Sequence, residues 1–435
     1  MNQLSTPIAL AKPPLPVAID RNKLLGRVLI ESLGFYPLSI AVAAKRNKYD
    51  ALEQVMDWGF WLTLGFGVPW VLDRAVSRRY SNWMRERHGL PTHKGADGFQ
   101  TSLMNVPFEM LEESRSLVKT ANGQYKPEAK EALAKLAERL KLASPQVLEQ
   151  LLENPVFRHE LQLGKIGIMF SGLGLMSAKG QLYSWSKNWV TEKLSGKKGF
   201  AGEFNDTSAQ FREQETAGYY QQKRKRQLIS IGCGLGAAVA FPAVVYGVLR
   251  NKAGLNKLKG VLPRFNYTDG IFMPKEVFIV HTLFNFNLPT LLSTRTLDEF
   301  REKFVRCAAF DFFYYLGDDL IAGKVGQFLE RRHPELKGQL TEIKRGFLGM
   351  KFTHAKPLEA VYETARQHTG SLAQAVETPL YKNALVAWAW GFAGTALGMG
   401  LAIPIINNIY THHSVTKKQA AFDATHPKQN NLPAT

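Results

Sequence analysis

Residues 228–249 read LISIGCGLGAAVAFPAVVYGVL, a run without a single charge, preceded by Lys223-Arg224-Lys225-Arg226 and followed by Arg250-Asn251-Lys252. A helix that crosses ~30 Å of hydrocarbon at 1.5 Å per residue needs about 20 mostly apolar residues. Residues 228–249 meet that length, and residues 384–410, ALVAWAWGFAGTALGMGLAIPIINNIY, meet it again. These two stretches decide the fold class, an all-α, multi-pass helical membrane protein with about five to seven spans. They also share a phrase. LGAAVAFP (Leu235 to Pro242) and LGMGLAIP (Leu397 to Pro404) both spell Leu-Gly-x-x-x-Ala-x-Pro.

Five weaker segments complete the expected set. Residues 58–72 are bracketed by Asp57 and Asp73 and carry tryptophans suited to a membrane interface. Residues 277–293 are uncharged but hold His281 and two asparagines. Residues 24–44 contain Arg27 and Glu31, four apart and able to pair on one helical face. Residues 161–185 hold Lys165 and Lys179 near their ends, where a lysine can snorkel. Residues 304–323 contain Arg306, Asp311, Asp318 and Asp319. Each of the five also fits a buried helix of a soluble core.

The chain has 435 residues, 55 Lys and Arg against 37 Asp and Glu, and a formal charge of +18. Mean hydropathy of −0.18 averages greasy clusters with charged segments between them. Such a surface attracts anions. Because the basic residues flank the apolar runs, anionic lipid is the expected partner, with nucleic acid disfavoured and a homo-oligomer compatible. Cys233 and Cys307 sit in apolar surroundings, which argues against a disulfide framework, and no paired C-x-x-C implies zinc. No cofactor is expected. The first 23 residues lack a basic start followed by an apolar core and read as a flexible lead rather than a secretory signal.

Between the spans, residues 126–142 have helical apolar spacing and strong helix formers. Ser144 and Pro145 then provide an N-cap and a first helical position. Polar helical inserts are expected over 78–160 and 326–378, a basic exposed linker over 186–227, and a disordered tail over 416–435. Two membrane halves, 24–185 and 250–415, would flank the central span.

The halves look duplicated. Residues 154–178 lie on 378–402 without a gap, with identities at Pro155/Pro379, Leu161/Leu385, Gly167/Gly391, Leu173/Leu397, Gly174/Gly398 and Ala178/Ala402. DWGFWLTLG from Asp57 resembles DFFYYLG from Asp311, and Pro37 and Pro289 precede these at similar distances. Seven spans would make the halves parallel, and the loss of one would make them inverted, as in many secondary transporters.

In lipid, helices associate through close backbone packing, so small residues at four-residue spacing mark contact faces. Gly232, Gly236 and Ala240 form one such ridge, Gly394 and Gly398 another, and Pro242 and Pro404 beyond them are expected to kink their helices. Ionisable groups inside apolar segments are the candidate site. Asp57 and Asp311 occupy corresponding places in the repeat, Asp318 lies seven residues beyond Asp311 on nearly the same face, and His281 and Asn285 are four apart. They could line a cation or proton route, or sit at the headgroups beside an aromatic belt.

Soluble-enzyme motifs fail on spacing. GCGLG lacks the flanking strand and later acid of a dinucleotide fold, and GDDLIAGKV puts Val325 where a P-loop needs a hydroxyl. Residues 137–151, AERLKLASPQVLEQL, follow a helix-turn-helix pattern, but Lys141 replaces the turn glycine and no arginine faces a base. Three functions are therefore expected in order: a non-enzymatic membrane-organising or scaffolding protein, a transporter or channel using intramembrane carboxylates, and a membrane-tethered helix-turn-helix regulator.

Overall fold

A helix begins wherever the sequence offers a cap or a proline at the first turn, and this chain does so repeatedly. The computed structural model describes residues 14–21, 29–67, 71–92, 101–266, 282–345 and 351–426. After a short helix Leu15–Arg21 come α1 (Tyr36–Arg46), α2 (Lys48–Phe60) and α3 (Arg78–Arg87). Then follow α4 (Pro127–Arg139), α5 (Pro145–Glu153), α6 (Pro155–Ser195) and α7 (Ala209–Leu249). The remainder is α8 (Leu297–Phe312), α9 (Asp318–Arg332), β1 (Thr341–Arg345), β2 (Lys351–Ala355), α10 (Leu358–Thr369), α11 (Pro379–Leu397) and α12 (Ile403–Thr425). The all-α class holds, with one small antiparallel hairpin, Thr341 opposite Ala355 and Ile343 opposite Thr353.

Helices α6 and α11 start alike. Asn154 Oδ1 accepts from the amide of Val156 at 2.9 Å, Thr378 Oγ1 accepts from Tyr381 at 3.2 Å, and a proline follows each cap. These side chains satisfy donors that the first turn leaves orphaned. Helix α6 ends at Gly196, whose φ of +64° closes the helix in the left-handed conformation glycine tolerates. Among the described residues three helical runs are long and apolar enough to cross a membrane, Pro155–Ser195, Ala209–Leu249 and Pro379–Thr425; five to seven were expected, and parts of the other expected spans lie outside the described residues.

Irregular turns recur along the chain, and prolines accompany half of them. Six described stretches wind as π-helix: Ile30–Phe35, Trp61–Phe66, Leu72–Ser77, Thr282–Asn287, Phe313–Gly317 and Gly398–Ala402. Such turns normally hold well under 1% of residues, so six in one chain mark a systematic feature. Pro37, Pro289 and Pro404 each stand two residues beyond one of them. Proline offers no N–H and its ring displaces the carbonyl four residues back. Widening the turn by one residue gives that carbonyl a new donor. Pro404 thus follows a π turn, whereas Pro242 sits inside an uninterrupted α-helix.

The chain divides into two units, each with its own core. The first comprises Met1–Trp58, Gly199–Arg212 and Leu297–Thr435, the second Gly59–Lys198 and Glu213–Thr296. In the first, Val17, Leu336, Leu358, Val361, Tyr362 and Tyr381 form a compact apolar cluster. Gly391 of α11 lies so close to α9 that an added Cβ would stand 2.6 Å from the carbonyl oxygen of Asp318. In the second, Met84, Phe108, Leu140, Leu148, Leu152 and Phe157 centre a larger core that reaches Val245 and Leu249 of α7.

Several expectations change. The stretch 186–227 is not an exposed linker: it contains the end of α6 and the start of α7, and Lys187, Asn188, Thr191, Phe200, Glu203 and Phe204 are buried. Helix α12 carries order through Thr425 into the stretch expected to be a disordered tail. The insert 326–378 holds the β hairpin as well as helix. Part of the expected N-terminal lead is helical, with Val17 wholly buried. Lys165 and Lys179 do not snorkel: both are buried, the Lys165 ammonium donating to the Val106 carbonyl beside the Phe108 ring. Ser144 stands at the N-cap of α5 without a capping bond from its side chain. The apolar faces of α4 and α5 are used internally through Leu133, Leu136, Leu140, Leu148 and Leu152, and Lys141 takes the left-handed turn at φ +51°. The pairing of Arg27 with Glu31 lies outside the described residues.

Arg85 ties α3 to neighbouring backbone of the second unit. It is 1% exposed and donates to the carbonyls of Pro91, Thr101 and Leu140 at 2.9, 2.6 and 2.7 Å. Arg85→Met leaves those carbonyls without their donor, at about 1–3 kcal/mol for each one left buried. A loss of about 3 kcal/mol or more is expected, roughly 6–12 °C of melting temperature for a unit of this size, read by thermal unfolding in detergent. An unchanged melting temperature contradicts the pinning role.

Candidate functional site

The densest chemistry in the first unit is ionic and begins at the joint between α1 and α2. Asn47 is the single residue between those helices. Its Oδ1 accepts from the amides of Tyr49 and Asp50, both at 2.9 Å, which starts α2 and turns Asp50 back toward Arg46. The Arg46 guanidinium then bridges two carboxylates, Asp50 at 3.3 Å and Glu302 of α8 at 3.0 Å. It is covered by the segment Gly199–Arg212: the Phe200 ring lies over it at 5.3 Å, and a Cβ at Gly202 would stand 2.5 Å from Nη1. Only glycine lets the backbone come this close. Asn205 donates to the Arg46 carbonyl at 2.7 Å and Asn47 to that of Ala201, also at 2.7 Å.

Helix α12 closes the other side. Thr411 donates to Glu302 at 3.0 Å and accepts from Arg301 at 3.1 Å, while Asn407 donates to the Glu302 carbonyl at 3.2 Å. Asp298 takes Arg301 at 3.1 Å and Lys418 at 2.6 Å, Glu299 takes Lys303 at 2.6 Å, and Arg306 reaches Glu302 at 3.5 Å. Asp50, Glu53, Asp298, Glu299 and Glu302 are each 3% exposed or less. Burial pushes the Asp50 carboxyl up to about 6, because loss of water outweighs the attraction of Arg46 and the carboxylate of Glu302 repels it. Arg46 is correspondingly held in its charged form by Glu302 and Asp50, against the cost of its own burial.

The expected site residues fall around this lattice unevenly. Asp57 and Asp311 are half-buried in the first unit, and both lie within electrostatic range of the Cys307 thiol, as do Arg306 and Lys303. Asp318 is half-buried and its carboxylate accepts from the amide of Asp319 at 2.9 Å, while Asp319 is exposed and faces His354 at 3.8 Å. Asn285 belongs to the second unit, 1% exposed, its Nδ2 donating to the Leu173 carbonyl at 3.3 Å. His281 lies outside the described residues. Among the described residues no group of His, Cys, Asp and Glu is arranged to hold a metal ion. Cys233 and Cys307 are free.

Of the two small-residue ridges, Gly394 and Gly398 pack, against Ile321 and the Phe313 ring. The other meets no neighbour within this chain among the described residues. Gly232, Gly236 and Ala240 are exposed, and a Cβ at either glycine would meet nothing within 4 Å. The inward face of α7 is Ser230, Gly234 and Ala238, shifted by two residues, and Gly234 lies against Ser177 and Asn285.

The ionic lattice escaped the sequence reading although it leaves a trace. Arg46, Asp50 and Glu53 have the spacing R-x3-D-x2-E, and Arg295, Glu299 and Glu302 have R-x3-E-x2-E, each with a helix opening two residues after the arginine. All are buried or nearly so. No protein-family model, curated protein or solved structure matches the chain.

Two outcomes test the lattice. Glu302→Ala strips Arg46 and Arg306 of their shared acid and is expected to cost about 3–5 kcal/mol, the usual result of breaking a buried pair from one side. For Asp50 the folded chain holds its proton more tightly than the unfolded chain does. Its contribution to stability is therefore full below the ordinary value of 3.8 and is lost as pH rises through about 6. Asp50→Asn stays neutral, so its melting temperature relative to the unaltered protein should rise between about pH 4 and pH 7. A difference independent of pH contradicts the assignment.

Proposed function

We propose that the chain is an integral, multi-pass membrane protein with a non-enzymatic, membrane-organising role. The observation that supports this most is the closure of the ionic lattice. Asp50, Asp298, Glu299 and Glu302 are each answered by a cation of the same unit. Charges consumed by one another lock helices together and are not presented to a substrate. Helices α6 and α7 each run 41 residues, about 60 Å, roughly twice the hydrocarbon thickness. Long arms of that kind suit a protein that spaces or shapes what surrounds it. Anionic lipid is the proposed partner, because Arg224 and Lys225 are exposed one turn outside the apolar run of α7.

A specific observation favours transport as the second reading. Asp57 and Asp311 each precede a π turn, Trp61–Phe66 and Phe313–Gly317, and Pro37 and Pro289 each follow one, Ile30–Phe35 and Thr282–Asn287. Equivalent irregularities at equivalent places support the duplication inferred from sequence, and repeated halves with interrupted helices are a transporter habit.

Reconstitution into vesicles loaded with a pH-sensitive dye separates the two. The organising role predicts proton and cation leak equal to that of protein-free vesicles, with vesicle size changing as protein density rises. A protein-dependent flux that Asp57→Asn or Asp311→Asn abolishes overturns it in favour of transport.

A further inference from the structure

Along α6, Ser177, Gln181, Ser184, Asn188 and Thr191 recur at alternating spacings of four and three residues, which places all five on one helical face. None is more than 8% exposed. A span in lipid would normally fill such a face with Leu and Gly, so a continuous polar stripe needs partners of its own.

Two other elements of the second unit close over it. Helix α7 runs antiparallel to α6: Tyr220 donates to Glu192 at 2.5 Å near one end, and a Cβ at Gly234 would stand 2.3 Å from Ser177 Oγ near the other. That register sets Ser230, wholly buried, near the level of Gln181. The segment 285–293 follows α6 in parallel. The Asn285 carbonyl lies against Gly180, the Asn285 side chain donates to Leu173, and Asn188 donates to the Ser293 carbonyl at 2.7 Å. The three strips form one seam, about 21 Å long from Ser177 to Thr191 at helical rise.

Its polar atoms are far from satisfied. Gln181 Nε2, Ser184 Oγ, Asn188 Oδ1, Thr191 Oγ1, Ser230 Oγ, Asn285 Oδ1 and Thr290 Oγ1 are buried and find no hydrogen-bond partner among the described residues. The hydroxyls do not even turn back to the carbonyl one turn earlier, the ordinary refuge of Ser and Thr in a helix. Single orphans occur in any protein. Seven on three elements facing one seam call for a shared partner. All seven are uncharged, and together they supply donors and acceptors, the setting that holds ordered water and neither a metal nor a fixed ion.

We propose that this seam is a hydrated inlet, a file of water molecules running between α6, α7 and residues 285–293 from the Lys223–Arg226 end of the helix pair. Ser230 and Gly234 lie two and six residues inside the apolar run, so the file reaches about 3 to 9 Å below the hydrocarbon boundary, down to Asn285. There Leu173 and Ala238, both buried, close it with apolar surface. An inlet of this kind carries water and protons part of the way into the bilayer. It goes beyond the organising role and stands whether or not that role holds, but it does rest on α6 and α7 lying in lipid.

The test uses the full chain in membranes, with Cys233→Ser and Cys307→Ser as background and silver ion, which is small enough to follow water, as the thiol probe. Ser184→Cys and Ser230→Cys should react within about tenfold of Lys225→Cys, the reference in open water, and at least about tenfold faster than Leu235→Cys on the outward face of α7. Rates for both seam positions as slow as Leu235→Cys overturn the inlet. Fast reaction of Leu235→Cys itself overturns the membrane placement instead, which keeps the two failures apart. A second measurement needs no labelling. Removing an unpartnered hydroxyl from a dry seam stabilises a protein, whereas removing a ligand of ordered water destabilises it. Ser230→Ala is therefore expected to lower the melting temperature, and a rise counts against the inlet.

Discussion

Hydrocarbon offers no hydrogen bonds, so every polar group carried into or beside it must find its partner within the protein. On the proposed membrane placement, the architecture follows from the different ways in which that demand is met. Backbone groups are met by helix, and where Pro37, Pro289 and Pro404 remove a donor, the helix widens by one residue rather than breaking. Charged side chains are met by one another, around Arg46 and Glu302. On the uncharged polar face of α6, Gln181 Nε2, Ser184 Oγ, Asn188 Oδ1 and Thr191 Oγ1 find neither kind of partner among the described residues.

The ionic lattice and the polar seam do different work. Arg46, held by Asp50 and Glu302 and roofed by Gly202 and Phe200, fixes α1, α2, α8 and α12 to the segment that precedes α7. A buried pair of this type adds little net stability over an apolar contact, but it admits few alternative arrangements, since any slip leaves a charge alone. That makes it a device for specificity. The seam has the opposite character: Ser, Thr, Asn and Gln can exchange partners at small cost, and water among them can move.

Much of this was legible in the sequence, and the limits have physical causes. Uncharged length alone located residues 228–249 and 384–410 within helical runs long and apolar enough to cross a membrane, because that capacity is set by bilayer thickness and by little else. The gapless match of 154–178 to 378–402 paired the places where α6 and α11 begin, but the cap read from sequence was Ser144, whose side chain makes no capping bond, while Asn154 and Thr378 emerge as caps only in the fold. Face assignment was harder. Gly232, Gly236 and Ala240 suggested a packing ridge on α7, yet the ridge formed by Ser230, Gly234 and Ala238 is the one used. Both obey the same four-residue spacing, and which one turns inward depends on Ser177 and Asn285, far away in sequence. The polar composition of 186–227 suggests exposure, whereas Lys187, Asn188, Thr191, Phe200, Glu203 and Phe204 are buried there. Likewise Lys165 has the placement of a snorkelling lysine, and only the fold shows the Val106 carbonyl waiting for it.

The central claim is that α7 and the α11–α12 run lie in a bilayer and that the rest of the chain is arranged around that fact. Extraction of cell membranes with alkaline carbonate, followed by detergent, tests it most directly. The protein should stay in the carbonate-washed pellet and enter solution only when detergent is added. Release of intact, monomeric protein into detergent-free buffer would contradict it.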